Sequence, residues 1–217
     1  MPLLSFEVEP SREPLPQAVA AFLAATQERI DRWFAAPEHR AGIGFVPSDC
    51  EAVFRTLSAL VCEQPDLRRF LEWGSGFGAV TGLAALLRLE ACGIEIDGRL
   101  VAESRALLAA HGLRATIAHG SFVPADFAVR DRLVDDETRT VLDAADGYGE
   151  LERDLDDFDL VFAYPWPTEE ELYCDLFLRR ADHGAVLLTW SRTEGARCYR
   201  KLARVTAPPR PRRRTRR

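Results

Sequence analysis

The run EWGSGFG, residues 72–78, combines an acidic residue with three glycines directly after the apolar pair Phe70-Leu71. Glycines at this spacing allow backbone angles that other residues avoid, and they let a ligand approach the main chain closely. The pattern is typical of a strand that turns sharply into a helix and binds a ligand at the turn. Gly74, Gly76 and Ala79 also satisfy the dinucleotide pattern, so a nicotinamide or flavin ligand is one interpretation.

Glu72 separates two classes of ligand for this turn. A dinucleotide places its pyrophosphate at a helix N-terminus, where free N–H groups and the helix dipole attract anions. A carboxylate two residues before the first glycine repels that pyrophosphate. S-adenosylmethionine has no phosphate, and its ammonium is attracted by the carboxylate directly or through water. The sequence therefore favours S-adenosylmethionine, with a predicted set of contacts at Glu72, Gly74, Ser75, Gly76 and Gly78.

A second acidic motif, CGIEID, occupies residues 92–97. A carboxylate at Glu95 can accept hydrogen bonds from both hydroxyls of a ribose. Ile96, which follows it, is predicted to contact the same ligand. Asp97 is interpreted as the N-cap of a helix that begins at Gly98.

Strand-like and helix-like segments alternate from residue 69 onward. Apolar runs predict strands over 69–73, 91–96, 114–118, 158–163 and 185–190, and the segments between them predict helices over 77–89, 98–110 and 168–181. This alternation predicts a doubly wound, mostly parallel α/β sheet with helices on both faces. Ligands of such sheets bind at the carboxyl ends of the strands, where both acidic motifs lie.

Two helices are predicted ahead of this sheet, one over 17–36 and one that Ser48 and Glu51 open as a capping box. We therefore divide the chain into an N-terminal helical extension (1–66), an α/β domain (67–206) and a basic tail (207–217). The acidic stretch 124–157 interrupts the alternation of the α/β domain. It is interpreted either as a partly helical lid over the site or as a solvated excursion.

The motifs EWGSGFG and GIEID resemble the first two motifs of the seven-strand, Rossmann-like class of S-adenosylmethionine-dependent methyltransferases. The segment GFVPSD, residues 44–49, resembles the entry to the fold in a protein-lysine methyltransferase branch of that class. The resemblance extends over about 45–190 and implies that Phe45 and Ser48 lie near the cofactor. It also implies a terminal hairpin. Only one strand-like stretch, 197–205, follows the fifth strand, so we expect a sheet trimmed at that edge.

The resemblance also assigns the residues after the third predicted strand. Many relatives have an acid there that binds the adenine amino group, and this chain has Ser121 and Phe122. Ser121 can accept that hydrogen bond, and Phe122 can cover the adenine face. A packed core phenylalanine is the alternative for Phe122.

The turn YPWP, residues 164–167, ends the fourth predicted strand, at the position that faces the transferred methyl group in this class. Amine methyltransferases often have an acid or amide there, followed by proline and an aromatic residue that stabilises the developing cation. Tyr164 and Trp166 are therefore the predicted acceptor-site residues, although the leading polar residue is missing. A rigid turn with packed aromatic side chains is the alternative. His119 is a further candidate, as a general base.

The composition is that of an ordinary globular protein, with 217 residues of which 47% are hydrophobic and 29% charged. No apolar run reaches the roughly 20 residues of a membrane helix. The N-terminus carries acids and prolines where a secretory signal has basic residues and then an apolar stretch. We therefore expect a cytoplasmic protein with reduced cysteines and no membrane partner. The histidines and cysteines lack metal-ligand spacing, so no metal is predicted.

The arginine-rich tail contrasts with the net charge of −6 for the whole chain. It is interpreted as a solubilising end, and it also leaves nucleic acid open as a partner, which the acidic remainder of the chain disfavours. The sequence as a whole predicts a methyltransferase that uses S-adenosylmethionine on a protein or small-molecule acceptor, with an amine preferred. A nicotinamide-dependent oxidoreductase and a non-catalytic cofactor-binding protein remain the alternatives.

Overall fold

The computed structural model describes residues 3–36, 44–129, 133–135, 138–142 and 144–202. The predicted basic tail over 207–217 lies outside the described residues, as do parts of the acidic stretch. Within the described ranges, no helix has the length and apolar character needed to cross a membrane.

Seven strands form one sheet, and most of them match the predicted segments closely. They are β1 (Leu3–Phe6), β2 (Arg69–Trp73), β3 (Glu90–Glu95), β4 (Ala115–His119), β5 (Leu160–Ala163), β6 (Val186–Ser191) and β7 (Gly195–Lys201). Their order across the sheet is β1-β7-β6-β5-β2-β3-β4. Strands β2 to β6 run parallel, and β7 runs antiparallel to both β6 and β1. The doubly wound, mostly parallel α/β fold is therefore confirmed.

Helices cover both faces of the sheet. They are α1 (Gln17–Ala35), α2 (Cys50–Glu63), α3 (Ala79–Leu86), α4 (Gly98–Ala110), α5 (Gly147–Leu151) and α6 (Glu170–Arg180). Successive strand residues point to opposite faces, so Phe70 packs with α2 and α3, whereas Leu71 packs with α5 and α6. Because both faces are covered, the central strands are apolar without alternation, which made them visible in the sequence.

The edge of the sheet differs from the expectation. Leu3 pairs with Lys201 and Phe6 with Cys198, so β1 lies beyond β7 and runs in the same direction as β6. The sequence analysis placed these residues in a helical extension and expected a trimmed edge; instead the N-terminal segment supplies the outermost strand. A strand of four residues carries little pattern of its own, and its partner lies at the opposite end of the chain.

The starts of two helices test the capping predictions. Asp49, not Ser48, caps α2, because its Oδ1 accepts a hydrogen bond from Ala52 N at 3.0 Å. Cys50 is the first helical residue, so only position 49 can reach the free N–H of the first turn. The prediction for Asp97 is confirmed, since its Oδ1 accepts from Arg99 N at 2.9 Å at the start of α4.

The described part of the acidic stretch is built into the fold. It contains α5 and a short 3-10 helix, Leu155–Asp157. Tyr148, Leu151 and Leu155 are buried in the core beneath α6. The Trp73 indole N–H donates to the Tyr148 hydroxyl at 2.9 Å, which ties α5 to the end of β2. A purely solvated excursion does not describe these residues.

Candidate active site

The strand register brings the separate motifs into one row at the carboxyl edge of the sheet. Trp73 pairs with Ile94 on one side and with Ala163 on the other. Ala163 in turn pairs with Thr189. The residues that follow these four are Glu95, Gly74, Tyr164 and Trp190, which emerge at this edge in the order of their strands and which we call the edge row. At about 4.8 Å between strands, this row spans roughly 14 Å.

A cavity of about 710 Å³ opens along this row. We call one end of it the glycine side, which is lined by Trp73, Gly74, Glu95, Ile96, Ser121, Phe122 and Val141. We call the other end the aromatic side, which is lined by residues 164–168, 189–195, Arg139, Glu170, Tyr173 and Arg197. The cavity lies at the carboxyl end of β2, where the strand order reverses: β3 lies on one side of β2 and β5 on the other. This is the usual ligand position in a doubly wound sheet.

The glycine turn requires its glycines for two different reasons. Gly74, Gly76 and Gly78 all have left-handed backbone angles, with φ of +67°, +52° and +67°. A Cβ at Gly76 would also lie 2.5 Å from the ring of Phe45, whereas a Cβ at Gly74 would meet nothing within 4 Å. The turn is therefore open to a ligand at Gly74 and covered by Phe45 at Gly76.

Glu95 is a buried acidic residue that lines the glycine side of the cavity. Its Oε2 accepts a hydrogen bond from Gly76 N at 2.7 Å, and its Oε1 accepts from Asp97 N at 2.8 Å. These backbone donors fix the carboxylate, and its burial raises the pKa of Glu95. Each carboxylate oxygen has a second lone pair, so the group retains capacity for two ligand hydroxyls.

Glu72 does not line the cavity. Its Oε2 accepts from Thr81 N at 2.7 Å and from the Thr81 hydroxyl at 2.6 Å, which attaches it to the first turn of α3. Burial raises its pKa from 4.5 to about 8. Glu72 is therefore not placed for the predicted direct contact with a ligand in the cavity. Any influence of Glu72 on a ligand acts through the turn.

Three further predicted residues support the turn without lining the cavity: Ser75, Gly76 and Gly78. Ser75 N donates to Ile94 O at 3.0 Å, which joins the turn to β3. The Ser75 hydroxyl is buried and has no hydrogen-bond partner among the described residues.

Ser121 and Phe122 line the cavity, but both are also committed to the protein. The Ser121 hydroxyl donates to Val141 O at 2.9 Å and accepts from Val123 N at 3.0 Å. The Phe122 ring stacks on Trp73, with centroids 5.2 Å apart and an interplanar angle of 18°. The chain's own backbone and core thus account for much of the geometry of these two side chains.

A segment that the sequence analysis did not single out, residues 138–142, connects the two sides of the cavity. Buried Glu169 holds it through Oε1, which accepts from Arg139 N at 2.6 Å, and through Oε2, which accepts from the Thr140 hydroxyl at 2.5 Å. Arg139 lies over the Trp166 ring, 5.0 Å from its centroid, while Val141 lines the glycine side. The acidic stretch therefore contributes directly to the cavity wall.

Tyr164 and Trp166 both line the aromatic side, together with Trp190. The turn that carries them ends at Thr168, which has a φ of +75°. A β-branched residue seldom adopts this conformation, so the turn is locally strained. Charges on this side are partly paired, because Arg197 bonds to Glu170 at 3.3 Å and also to Glu194.

The remaining candidates occupy different positions. Phe45 lines the cavity and packs on Phe77, whereas Ser48 does not line it. His119 is exposed and lies outside the cavity; its Nε2 is 3.1 Å from Ile96 O. Among the residues that the structure describes, no three His, Cys, Asp or Glu side chains are grouped to hold a metal ion.

Sequence reasoning missed Arg139, Thr140, Val141, Trp190 and Arg192, which all line the cavity. None of them belongs to a spaced motif. Val46, Ile96 and Val141 are large apolar side chains that are exposed at the cavity, which the structure shows and the sequence does not.

Comparisons with known proteins give structural neighbours only. No family model matches the chain, and no curated protein sequence matches it. Solved structures with a similar fold include an RNA methyltransferase from Salinibacter ruber in complex with S-adenosyl-L-homocysteine, at 17% identity and a TM-score of 0.46 over 76% of this chain and 97% of that one. An O-methyltransferase from Bacillus cereus in complex with the same compound has 17% identity and a TM-score of 0.49 over 82% and 67%. A methyltransferase from Geobacter sulfurreducens has 15% identity and a TM-score of 0.48 over 88% and 92%. The fold class of this chain follows from its own strand order, and the activities in those names belong to those proteins.

Proposed function

We propose that this chain is a methyltransferase that transfers a methyl group from S-adenosylmethionine to an acceptor bound on the aromatic side of the cavity. The glycine side holds the methyl donor. The acceptor is a small molecule or a protein side chain, and an amine is the nucleophile we test first, because the aromatic rings of Tyr164 and Trp190 line this side and suit a developing cation.

The observation that carries the proposal is the pair of buried carboxylates at the glycine turn. A dinucleotide needs free N–H donors at the turn and at the helix N-terminus for its pyrophosphate. Here Glu95 accepts from Gly76 N, and Glu72 accepts from Thr81 N in the first turn of α3. Two of those donors are already occupied by acidic side chains, so the site disfavours a diphosphate and suits a ligand whose charged groups include a cation.

The described residues provide a place for each part of the donor. Glu95 has free lone pairs for the ribose hydroxyls. Ile96 and Val141 are exposed apolar side chains on the glycine side that can flank the adenine ring. The methionine end lies at Gly74, where the open backbone permits close approach. Glu72 attracts the ammonium from behind the turn, because a nearby cation favours its ionised form.

Methyl transfer requires alignment more than acid–base groups. The acceptor lone pair forms a bond to the methyl carbon as the carbon–sulfur bond breaks, which leaves S-adenosylhomocysteine and a proton lost from the acceptor. Gly74 and Tyr164 directly follow the paired residues Trp73 and Ala163 and both line the cavity, so the proposed donor and acceptor compartments adjoin there. Holding two reactants in line accounts for a large share of such a rate enhancement.

Calorimetric binding of S-adenosylhomocysteine, NADH and NADPH tests the donor assignment. We expect S-adenosylhomocysteine to bind and to raise the melting temperature, with about 2.7 kcal/mol of stabilisation at a ligand concentration 100 times Kd. Binding of NADH or NADPH without binding of S-adenosylhomocysteine would refute the assignment and support an oxidoreductase.

Transfer of a labelled methyl group separates an enzyme from a cofactor-binding protein. Labelled S-adenosylmethionine is incubated with the chain and with pools of small amines or with protein extracts. We expect label in an acceptor, and we expect its loss in Glu95→Ala. The half-buried acid Glu103 provides the control, because it pairs with Arg29 and does not line the cavity. Tight cofactor binding without transfer to any pool supports the non-catalytic alternative.

A further inference from the structure

The aromatic side of the cavity contains two arginines, Arg139 and Arg192, whose guanidinium groups form no ion pair with a described acid. Arg197 is paired with Glu170 and Glu194, and Glu170 also accepts a hydrogen bond from the Tyr199 hydroxyl at 2.8 Å. These two acids are therefore already committed. Among the described residues, neither Arg139 nor Arg192 has a carboxylate partner, although both line the cavity.

Arg139 is held in place by its surroundings. Its backbone N–H donates to Glu169 at 2.6 Å, and the neighbouring Thr140 adds a second attachment to the same carboxylate. Its guanidinium then lies on the Trp166 ring at 5.0 Å from the centroid. An arginine stacked on an aromatic face keeps its N–H donors free at the edge of the plane, and those donors match the oxygens of a carboxylate or phosphate.

Arg192 approaches the same side from the turn between β6 and β7. It follows Trp190, which ends the edge row after Tyr164. The Trp190 indole N–H is buried and has no hydrogen-bond partner among the described residues. Buried polar groups are usually paired, so this region has hydrogen-bonding capacity that the described chain does not use.

The planar side chains limit the shape of what binds there. Tyr164, Trp166 and Trp190 all line this side. Aromatic walls favour a flat ring, which they contact by stacking or by edge-to-face packing. The charges and the walls therefore describe one ligand: a flat body with an anionic group.

We propose that the methyl acceptor is a small aromatic or heteroaromatic acid, whose carboxylate or phosphate is bound by Arg139 and Arg192 and whose ring lies against the aromatic walls of this side. This inference rests on the proposed methyltransferase function and names its acceptor class. It is compatible with an amine nucleophile, because the anionic group and the methylated atom are at different positions of the ring.

Three matched probes test the acceptor class by calorimetry, with and without S-adenosylhomocysteine. The probes are 4-aminobenzoate, neutral 4-aminobenzamide and 4-aminophenyl phosphate. We expect at least one anionic probe to bind about tenfold or more tightly than the amide, since a hydrogen bond between ions is worth that factor. The tighter of the two anionic probes identifies the charged group. The preference should fall as ionic strength rises.

Substitution of the two arginines tests their assignment. Arg139→Gln and Arg192→Gln should each weaken the anionic probe about tenfold, and the double variant should bind anion and amide alike. Arg32→Gln is the control, because Arg32 is exposed on α1, pairs with Glu28 and does not line the cavity. All variants should retain S-adenosylhomocysteine binding, which shows that they fold.

Several outcomes overturn the inference. They are equal affinity for anionic and neutral probes, no binding of any probe, and an anion preference that persists in the double variant. Failure of the wild-type chain to bind S-adenosylhomocysteine contradicts the proposed function instead. The two results are distinct, because probe binding to the chain alone still reports the charge preference of the aromatic side.

Discussion

On the glycine side of the cavity, the polar groups that we propose for donor binding are main-chain atoms and a carboxyl group that main-chain N–H groups hold. Gly74 presents backbone, and Glu95 is fixed by the N–H groups of Gly76 and Asp97. On the aromatic side, exposed Arg192 and half-buried Tyr164 and Trp166 reach the cavity from turns between elements. We therefore expect the glycine side to tolerate few substitutions. Residues of the aromatic side can be replaced, and its ligand specificity altered, without disturbing the sheet.

This comparison gives a rule for substitutions. Changes on the glycine side should reduce donor binding and stability together, because the same hydrogen bonds serve both. Changes on the aromatic side should alter acceptor binding and leave donor binding intact. The following variants test the rule, from the largest expected effect to the smallest.

Glu95→Ala should lower the affinity for S-adenosylhomocysteine at least 100-fold, or about 3 kcal/mol. In the proposed function, the substitution removes the acceptor for two ribose hydroxyls, and hydrogen bonds to a charged group are worth about 1.5–3 kcal/mol each. Calorimetry measures the loss. Glu95→Gln keeps one acceptor oxygen, so its affinity for S-adenosylhomocysteine should lie between those of wild type and Glu95→Ala. If Glu95→Ala binds within fivefold of wild type, this carboxylate does not bind the donor.

Glu72→Gln should remove a pH dependence of stability. The folded-state pKa of Glu72 is raised to about 8 from 4.5, so the folded chain holds a proton that the unfolded chain releases. Its contribution to stability is greatest below the unfolded pKa, declines as pH rises between these two values, and is constant above about 8. Relative to wild type, the variant should gain on the order of 3 kcal/mol between about pH 5.5 and 8.

Urea unfolding of both proteins across that pH range measures the effect, and the difference between them cancels all other titrating groups. A matched test at a half-buried acid away from the turn, Glu103→Gln, should show no such trend. A constant difference between Glu72→Gln and wild type would mean that Glu72 is ionised in the folded chain throughout this range.

Gly76→Ala should destabilise the chain more than Gly74→Ala, by about 1–2 kcal/mol. Both substitutions carry the cost of a left-handed backbone, but only a Cβ at Gly76 meets the Phe45 ring, at 2.5 Å. Adding Phe45→Ala should recover part of the loss in Gly76→Ala and none in Gly74→Ala. A double-mutant cycle by urea unfolding measures this coupling; additive effects would show that Phe45 does not cover the turn in solution.

The same contrast explains which parts of the molecule the sequence predicted. Strand β2 and helix α4 were predicted at the bounds that the structure has, because a doubly buried strand and a capped helix carry local patterns. The glycine turn and Glu95 were recognisable for the same reason: spacing within one segment defines them. β1 was missed because its pairing with β7 is determined by distant residues.

The aromatic side illustrates the limit of local patterns. Tyr164 and Trp166 were predicted from a single turn, but Arg139 reaches Trp166 only because Glu169 holds a segment from a separate part of the chain. No spacing within one segment encodes that contact. The position of Glu72 was also misjudged, since the sequence shows an acid beside the turn and does not show that Thr81 takes its carboxylate.

Trp166→Ala should have the smallest effect on stability and on donor affinity. It is the sharpest test of whether the two sides of the cavity bind different ligands. It removes the ring beneath Arg139, and an exposed cation–π contact is worth about 0.5–1 kcal/mol. Stability in urea should fall by no more than about that amount, and S-adenosylhomocysteine affinity by calorimetry should stay within about twofold of wild type. Trp166→Phe, which keeps an aromatic face, should restore the stability. A loss of donor affinity as large as that of Glu95→Ala would show that the two sides bind one ligand together, and the division of the cavity into donor and acceptor compartments would then be wrong.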